Sequence, residues 1–241
     1  GNWNTSNVTN MSGMFNGAVL FNQNIGNWNT SNVTNMSNMF NKAFSFNQNI
    51  GNWNTSSVKN MSGMFRGDFN SFLVLFSTTS SFTNGGSNSI QNWNTANVTD
   101  MSGMFFEAEN FNYNLGNWNI NAVQNLTEML DSSGLDCRNY SQTLIAWSNN
   151  PTTPNNQILG ATFLEYGPEA IPAINNLVFN KGWGFSGHDF ISTIPSFDFQ
   201  TTYCQGSNIP PLPSVSIDGI SGSWTPALNN TTTTTYSFIP N

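Results

Sequence analysis

The strongest constraint on this chain is a short sequence repeat with a nearly constant step. The segment Asn-Trp-Asn-Thr-Ser-Asn-Val-Thr-Asn-Met-Ser-x-Met-Phe begins at Asn2 and returns almost unchanged at Asn27 and Asn52. Its tryptophans keep a 25-residue step, apart from one longer interval after the third, at Trp3, Trp28, Trp53, Trp93 and Trp118. A period in this range is typical of a solenoid, in which each repeat forms one coil that stacks on its neighbours. The function is therefore expected in a repeated surface.

Each repeat combines two local patterns. Val33, Met36, Met39 and Phe40 have the i, i+3, i+6, i+7 spacing of a helical or 3₁₀ turn with one buried face. The segment around Trp53 favours a short strand. One strand and one helical turn per coil predict a leucine-rich-repeat-like solenoid. The predicted core is made of the methionines and the phenylalanine that follow each strand: Met11, Met14, Phe15, Met36, Met39, Phe40, Met61, Met64, Phe65, Met101, Met104 and Phe105.

Changes of pattern along the chain predict three parts. Five repeats occupy residues 1–130, with an insertion at about 66–89 that has to leave the stack unbroken. Residues 131–190 depart from the repeat and predict an α/β cap, with helices near 140–147 and 168–179 and a last strand at 157–164, because an open array needs a closing unit. Residues 191–241 predict part of an all-β sandwich. The repeat register predicts a segment of a longer polypeptide.

Composition limits the partners. Charged residues make up 7% of the chain, against roughly 25% in ordinary soluble domains. The net charge is −7 and the five basic residues are scattered, so no basic stripe could follow the phosphates of a nucleic acid. No apolar run approaches the roughly 18 residues of a membrane-spanning helix. The Lys-poor, Asn/Thr-rich and aromatic-rich composition favours the exterior of a cell.

The sequence contains no pattern of a metal site. His188 has only Asp189 beside it, and Cys137 and Cys204 are far apart in the chain, without a Cys-x-x-Cys spacing. The scattered aspartates follow no calcium-loop pattern. The sequence therefore predicts no cofactor and leaves open only incidental binding of calcium at the surface.

Catalytic patterns are weak as well. Glu107 and Glu109 could form a carboxylate pair, but the i, i+2 spacing directs them apart on a helical turn. No serine nucleophile elbow and no phosphate-binding loop is present. We therefore predict that this segment is not an enzyme, with a glycoside-processing activity as a distant alternative.

The candidate ligand site is a ladder of tryptophans along the array. Stacked faces of Trp28, Trp53 and Trp93, with Asn29 and Asn54 beside them, could bind sugar rings in register. Core packing is the competing interpretation, because each repeat has few other large apolar residues. The neighbouring rows of asparagine and threonine could instead template ordered water.

Two parts of the sequence resemble known families. The block Trp-Asn-Thr-Ser-Asn-Val-Thr-Asn-Met-Ser-x-Met-Phe, followed by Phe-Asn-Gln-Asn-Ile, resembles the repeat of the BspA-like leucine-rich-repeat surface proteins, first catalogued through mycoplasma lipoproteins, over about residues 1–189. The family's closing unit often has a second cysteine after the position of Tyr166, where this chain has Gly167. The tail from Tyr203 is similar to Ig-like repeats of large adhesins in gliding Bacteroidota, which would give Cys204 a partner beyond Asn241.

These resemblances imply a secreted protein on the outer face of the cell. They imply export by the type IX secretion system, a link to gliding motility, and adhesion to surface polysaccharide or to another cell-surface or extracellular protein. The remainder of the same long polypeptide would be a further partner. The alternative is a passive stalk or filament subunit without a ligand of its own.

Overall fold

The computed structural model describes residues 3–67, 80–190, 197–198, 202, 204–217 and 221–240. The chain divides into two compact units, Gly1–Ile191 and Ser192–Asn241. The first unit begins with five coils, here named coils 1 to 5, which start at residues 1, 26, 51, 91 and 116. Parallel bridges join each coil to the next at the same position of the repeat: Asn10↔Asn35, Asn35↔Asn60, Asn60↔Asp100 and Asp100↔Asn125.

Backbone hydrogen bonds form a continuous ladder along these bridges. Four N–H groups of coil 2 donate to carbonyl oxygens of coil 3 at distances of 2.8–2.9 Å. The donors are every second residue, Met36, Asn38, Phe40 and Lys42, and the acceptors are Asn60, Ser62, Met64 and Arg66. Equivalent bonds join coil 1 to coil 2, coil 3 to coil 4, and coil 4 to coil 5. We call this set the intercoil ladder.

N–H groups that are not used in the intercoil ladder close tight turns within the coil. The N–H groups of Met39 and Ala43 donate to the carbonyl oxygens three residues earlier, at 3.2 and 3.0 Å. Asn38 and Lys42 have positive φ angles of 53° and 59°, as the third residue of a type II turn requires. The i, i+3 spacing in the sequence thus comes from consecutive turns and not from a helix. A helix cannot form here because every second N–H group is committed to the next coil.

Pairing between coils also differs in position from the strand that the sequence predicts. The bridges lie at Asn60 and its equivalents, several residues after the Trp53 segment. At that segment the contact to the next coil comes from a side chain, because the Thr55 hydroxyl donates to the Asn94 carbonyl oxygen at 3.0 Å. The buried threonine therefore links coils where the backbone does not.

Aromatic rings stack through the interior in register with the ladder. Coils 1 to 4 each contribute two phenylalanines whose rings face each other, and in coil 2 the centroids of Phe40 and Phe46 are 3.9 Å apart. Along the axis, the ring of Phe40 stacks on Phe15 and Phe65 at 5.6 and 5.7 Å. Such offset stacking adds to the burial of large apolar surfaces. The rings therefore fix the spacing of the coils from inside.

Burial agrees with ten of the twelve predicted core residues. The remaining two are in coil 1, where the Met14 side chain is 38% exposed and Phe15 is half-buried. Their equivalents in coil 2, Met39 and Phe40, are 0% and 3% exposed. Coil 1 packs against another described coil on one side only, so its core positions are incompletely covered.

After the insertion, the chain returns to the stack while still within coil 3. Residues 68–79 lie outside the described residues. Phe82 takes the stacking position that follows Phe46, at a centroid distance of 6.1 Å, although the insertion lengthens the chain between the two. The remaining extra residues lie between Phe82 and Ile90, where two 3₁₀ segments, Asn84–Gly86 and Asn88–Asn92, shorten the path. The ladder and the aromatic stack both continue into coil 4.

Helices and short strands follow coil 5 in the first unit, and we call this part of the unit the cap. Helix α1 (Cys137–Asn149) begins at Asp136, whose side chain accepts the Asn139 N–H at 2.7 Å. The second helical segment consists of 3₁₀ Pro168–Ala170, α2 (Ile171–Asn175) and π-helical Asn176–Asn180. Four strands complete the cap: β1 (Ile158–Gly160), β2 (Glu165–Tyr166), β3 (Gly184–Ser186) and β4 (Asp189–Phe190).

The cap strands extend the parallel stack. Leu159 of β1 bridges Leu126 of coil 5, and β3 pairs with β1 on its other side. Strands β2 and β4 form a second parallel pair. In the unit Ser192–Asn241, β5 (Gly222–Thr225) pairs antiparallel with β6 (Ser237–Pro240).

One-sided packing of coil 1 predicts different effects of one substitution at equivalent positions. We expect Met64→Ala, at a fully buried site, to lower the free energy of unfolding by about 2–5 kcal/mol. Met14→Ala removes the same atoms from a partly exposed site and should cost less than about 1 kcal/mol. Chemical denaturation followed by circular dichroism measures both, and equal losses would contradict the difference in packing.

Candidate functional site

The tryptophan ladder lies in the core and cannot bind sugar rings. Trp28, Trp53 and Trp93 are 8%, 3% and 3% exposed. The indole N–H of Trp53 donates to the Ile25 carbonyl oxygen at 3.1 Å, and that of Trp93 to Ile50 at 3.3 Å. The predicted sugar platform is therefore wrong. The indoles fill the interior, and the N–H groups of Trp53 and Trp93 bond the residues that end coils 1 and 2.

The two asparagines predicted beside the ladder are exposed. Asn29 and Asn54 occupy equivalent positions in coils 2 and 3. Their Oδ1 atoms accept the backbone N–H of Ser31 and of Ser56, both at 3.1 Å. Such Asx turns satisfy a backbone donor where the coil bends. The amide oxygens are thus already used in folding.

Threonines in the same rows point into the protein. Thr30 and Thr55 are each 1% exposed, and the Thr30 hydroxyl donates to the Asn54 carbonyl oxygen at 3.0 Å. A water-templating surface made of these rows would need exposed threonines. Only the asparagines of the predicted rows face solvent, so this interpretation is also wrong for the threonine positions.

A groove lined by asparagines lies where one coil passes into the next. It has a volume of about 510 Å³ and is lined by Asn24, Gly26, Asn27, Asn49 and Asn52. A Cβ atom on Gly26 would lie 2.5 Å from the Asn49 carbonyl oxygen, so only glycine permits the start and the end of coil 2 to approach this closely. The groove is therefore a product of coil packing. We call it the amide groove.

Hydrogen bonds fix two of its four carboxamides. The Oδ1 atoms of Asn24 and Asn49 accept the N–H groups of Gly26 and Gly51, each at 3.0 Å. Within the described part of the chain, their Nδ2 groups donate to no partner. The side chains of Asn27 and Asn52 are exposed. The groove thus offers uncharged donors and acceptors, two of them already oriented.

The carboxylates and the histidine singled out in the sequence serve elsewhere. Glu107 is buried, with 6% exposure, whereas Glu109 is exposed, so the two differ in environment. The Tyr140 hydroxyl lies 2.8 Å from His188 Nδ1, and the His188 ring stacks on Phe185 at 4.3 Å. Burial, followed by the nearby Tyr166 and Asp131, holds the pKa of Tyr140 well above its usual range. This cluster belongs to the packing of the cap.

Neither a metal-ligand cluster nor a membrane span is found in the described ranges. No three His, Cys, Asp or Glu side chains come together among those residues. No helix there combines the length and the apolar character needed to cross a bilayer.

A comparison with protein families identifies the repeat. The family described as "Mycoplasma protein of unknown function, DUF285" matches residues 1–84 and 69–163. Together the two matches span residues 1–163 of the 241. The chain belongs to the DUF285 family. The match includes all five coils and continues to the middle of the cap.

The DUF285 matches overlap at residues 69–84, within the insertion of coil 3. No curated protein and no solved structure matches the chain. The family's description names no activity, so the amide groove has to be interpreted from its own chemistry. The match supports membership of the DUF285 family, but it does not test the more specific resemblance to BspA-like and Ig-like proteins.

Sequence reasoning missed the amide groove, although the signal is present. Each repeat carries an asparagine directly before its tryptophan, and a glycine precedes that asparagine in every coil except coil 4. The pattern becomes informative once the tryptophan is known to point inward, because the residue before it then faces solvent.

The two free cysteines are expected to differ in reactivity. Burial raises the pKa of the Cys137 thiol, and the carboxylate of Glu169 raises it further, whereas Cys204 is exposed. Alkylation requires the thiolate, so iodoacetamide at pH 7.5 should modify Cys137 at least about threefold more slowly than Cys204, as read by mass spectrometry. Glu169→Gln should accelerate Cys137, while Glu109→Gln should not. Equal rates in all variants would contradict this assignment.

Proposed function

We propose that this chain is a non-catalytic binding segment of a large bacterial cell-surface adhesin. The ligand would be a neutral polysaccharide of a cell surface or matrix, held along the coils. We propose that the coils are a leucine-rich-repeat-like solenoid of the BspA-like type, and that residues 191–241 belong to an Ig-like module. Export by type IX secretion, a link to gliding motility and a place on the outer surface of the cell are part of the same proposal.

The amide groove is the observation that carries the proposal. Its lining of four asparagines and one glycine contains no charged group. A carboxamide donates and accepts at once, which matches the paired hydroxyls of a sugar ring. Uncharged lining groups favour a neutral ligand over a phosphorylated or sulfated one. The net charge of −7 argues in the same direction, against nucleic acid and other polyanions.

Repetition makes a polymer the natural ligand. The groove takes equivalent residues from consecutive coils, Asn24 with Asn49 and Asn27 with Asn52. A chain of identical sugar units could therefore meet the same pair of amides more than once. Once one sugar unit is bound, the linked units are held close to the remaining amides, so several weak contacts together give a higher affinity for the polymer. A short oligosaccharide should bind much more weakly than the polymer.

A passive stalk is the second candidate, and one observation favours it. The oxygens of Asn29 and Asn54 are already used by turns, as are those of Asn24 and Asn49. The polar surface thus serves folding first. In this alternative the amide groove has no ligand, and the coils only hold another domain away from the cell.

Retention of the full 241-residue chain on polysaccharides separates the two candidates. The panel should include insoluble cellulose, chitin and mannan as neutral polymers, and alginate as an acidic one. We expect specific retention on at least one neutral polymer and none on alginate. Absence of retention on every polymer would favour the stalk.

Variants test whether the amide groove is responsible. Asn27→Ala with Asn52→Ala should lower the affinity about tenfold or more, since each loses hydrogen bonds worth about 1 kcal/mol. Asn117→Ala is the matched control, because Asn117 holds the equivalent position in coil 5 outside the groove. It should leave the affinity unchanged. Circular dichroism checks that all variants fold, and an equal loss in the control would place binding elsewhere.

A further inference from the structure

The outer face of coil 1 leaves apolar side chains exposed that the repeat normally buries. Trp3 is 62% exposed, whereas the equivalent Trp28 is 8% exposed. Met14 is 38% exposed, whereas Met39 is fully buried. Leu20, on the same coil, is 86% exposed. We call this surface the open face of coil 1.

The open face also carries a row of unused backbone acceptors. In coil 2, the carbonyl oxygens of the four acceptor positions each accept an N–H from coil 1 at 2.8–2.9 Å. Within the described ranges, the equivalent oxygens of coil 1 accept no hydrogen bond: those of Asn10, Ser12, Met14 and Asn16. The four bonds of the intercoil ladder run from donors of the preceding coil to acceptors of the following one, whereas fewer bonds run the other way, such as the one from the Thr34 N–H to the Thr9 carbonyl oxygen at 2.8 Å. The open face therefore needs a partner that presents donors.

A buried indole N–H supplies an independent observation. Trp28 Nε1 is buried and has no hydrogen-bond partner among the described residues. In coils 3 and 5, the tryptophan donates to the carbonyl oxygen of the last residue of the coil two before its own. Trp53 donates to Ile25, at the end of coil 1, and Trp118 donates to Ile90, at the end of coil 3. The same separation from Trp28 gives the position directly ahead of Gly1 in the repeat register. An unpaired buried donor is costly, so this group also calls for a specific acceptor.

We propose that the open face of coil 1 is the docking site for one further coil of the same 25-residue repeat, parallel to it and ending directly ahead of Gly1. Such a coil provides four N–H donors for the free carbonyl row. It covers Trp3 and Met14 as coil 1 covers Trp28 and Met39. Its last residue, equivalent to Ile25, gives its carbonyl oxygen to Trp28. The docking surface thus continues the interface that already joins the five coils.

Other occupants meet fewer of these requirements. A second copy placed face to face would set two rows of carbonyl acceptors against each other, where the intercoil ladder pairs acceptors with donors. An unrelated apolar surface could cover Trp3 and Leu20 but would offer no carbonyl oxygen at the Trp28 indole. A parallel coil satisfies the apolar contacts, the backbone row and the indole together.

The test is a fusion of a second copy of residues 26–50 directly ahead of Gly1 of the full chain. We expect the melting midpoint to rise by about 2 °C or more, and exchange of the Trp28 indole proton, followed by NMR, to slow at least about tenfold. A fusion of the same segment in scrambled order is the matched control and should change neither. If the repeat fusion behaves as the scrambled one, the proposal is overturned.

A substitution makes the same test through the indole alone. Trp28→Phe removes the donor, so it should lower the melting midpoint more in the repeat fusion than in the parent chain, whose described residues offer the donor no partner. Equal losses in both backgrounds would overturn the proposed bond. Sedimentation of the parent chain tests whether a second copy occupies the open face of coil 1. A concentration-dependent dimer that protects the Trp28 indole proton without the fused coil would identify the second copy as the occupant and overturn the proposal.

Discussion

The structure depends on hydrogen bonds that each coil makes with the next. Because Met36, Asn38, Phe40 and Lys42 all donate to coil 3, a single coil would leave these N–H groups without protein partners. Neighbouring coils must therefore be present together, which is the behaviour expected of repeat arrays. The constant step of the repeat follows from this constraint, since any other coil length would bring the wrong residues opposite one another. Where coil 3 is longer, the extra residues are accommodated so that Phe82 and Ile90 regain register.

Asparagine is the residue that makes such a coil soluble and able to turn at low charge. Its side chain replaces a backbone partner at three bends of coil 2, where Asn29, Asn35 and Asn49 each accept the N–H two residues later. A charged side chain could do this at isolated sites, but identical charges stacked coil upon coil would repel one another. Uncharged amides avoid that repulsion, which explains how the chain tolerates only 7% charged residues.

The proposed binding site is a by-product of the same arrangement. Asn24 and Asn49 are oriented by the turns that they close, and Gly26 lets the two ends of coil 2 approach each other. Asn27 and Asn52 face solvent because the tryptophans that follow them point inward. Folding and recognition would therefore use different atoms of the same amides. The oxygens hold the turns of the coil, and the Nδ2 groups remain for a ligand.

The sequence by itself determined the repeat, its 25-residue period, the number of copies, the place of the longer interval and most of the buried methionine and phenylalanine positions, because each of these follows from which residues recur. Tertiary structure decided the direction in which those residues point. The Trp28 and Trp53 rings could have faced solvent or core on the evidence of spacing alone, and the i, i+3 pattern of Met36 and Met39 fits a helix as well as consecutive turns. Only the contact with the neighbouring coil removes these ambiguities, since it takes every second N–H group and encloses the indoles. The amide groove escaped prediction for the same reason: it is formed by residues of three coils, and no single repeat contains it.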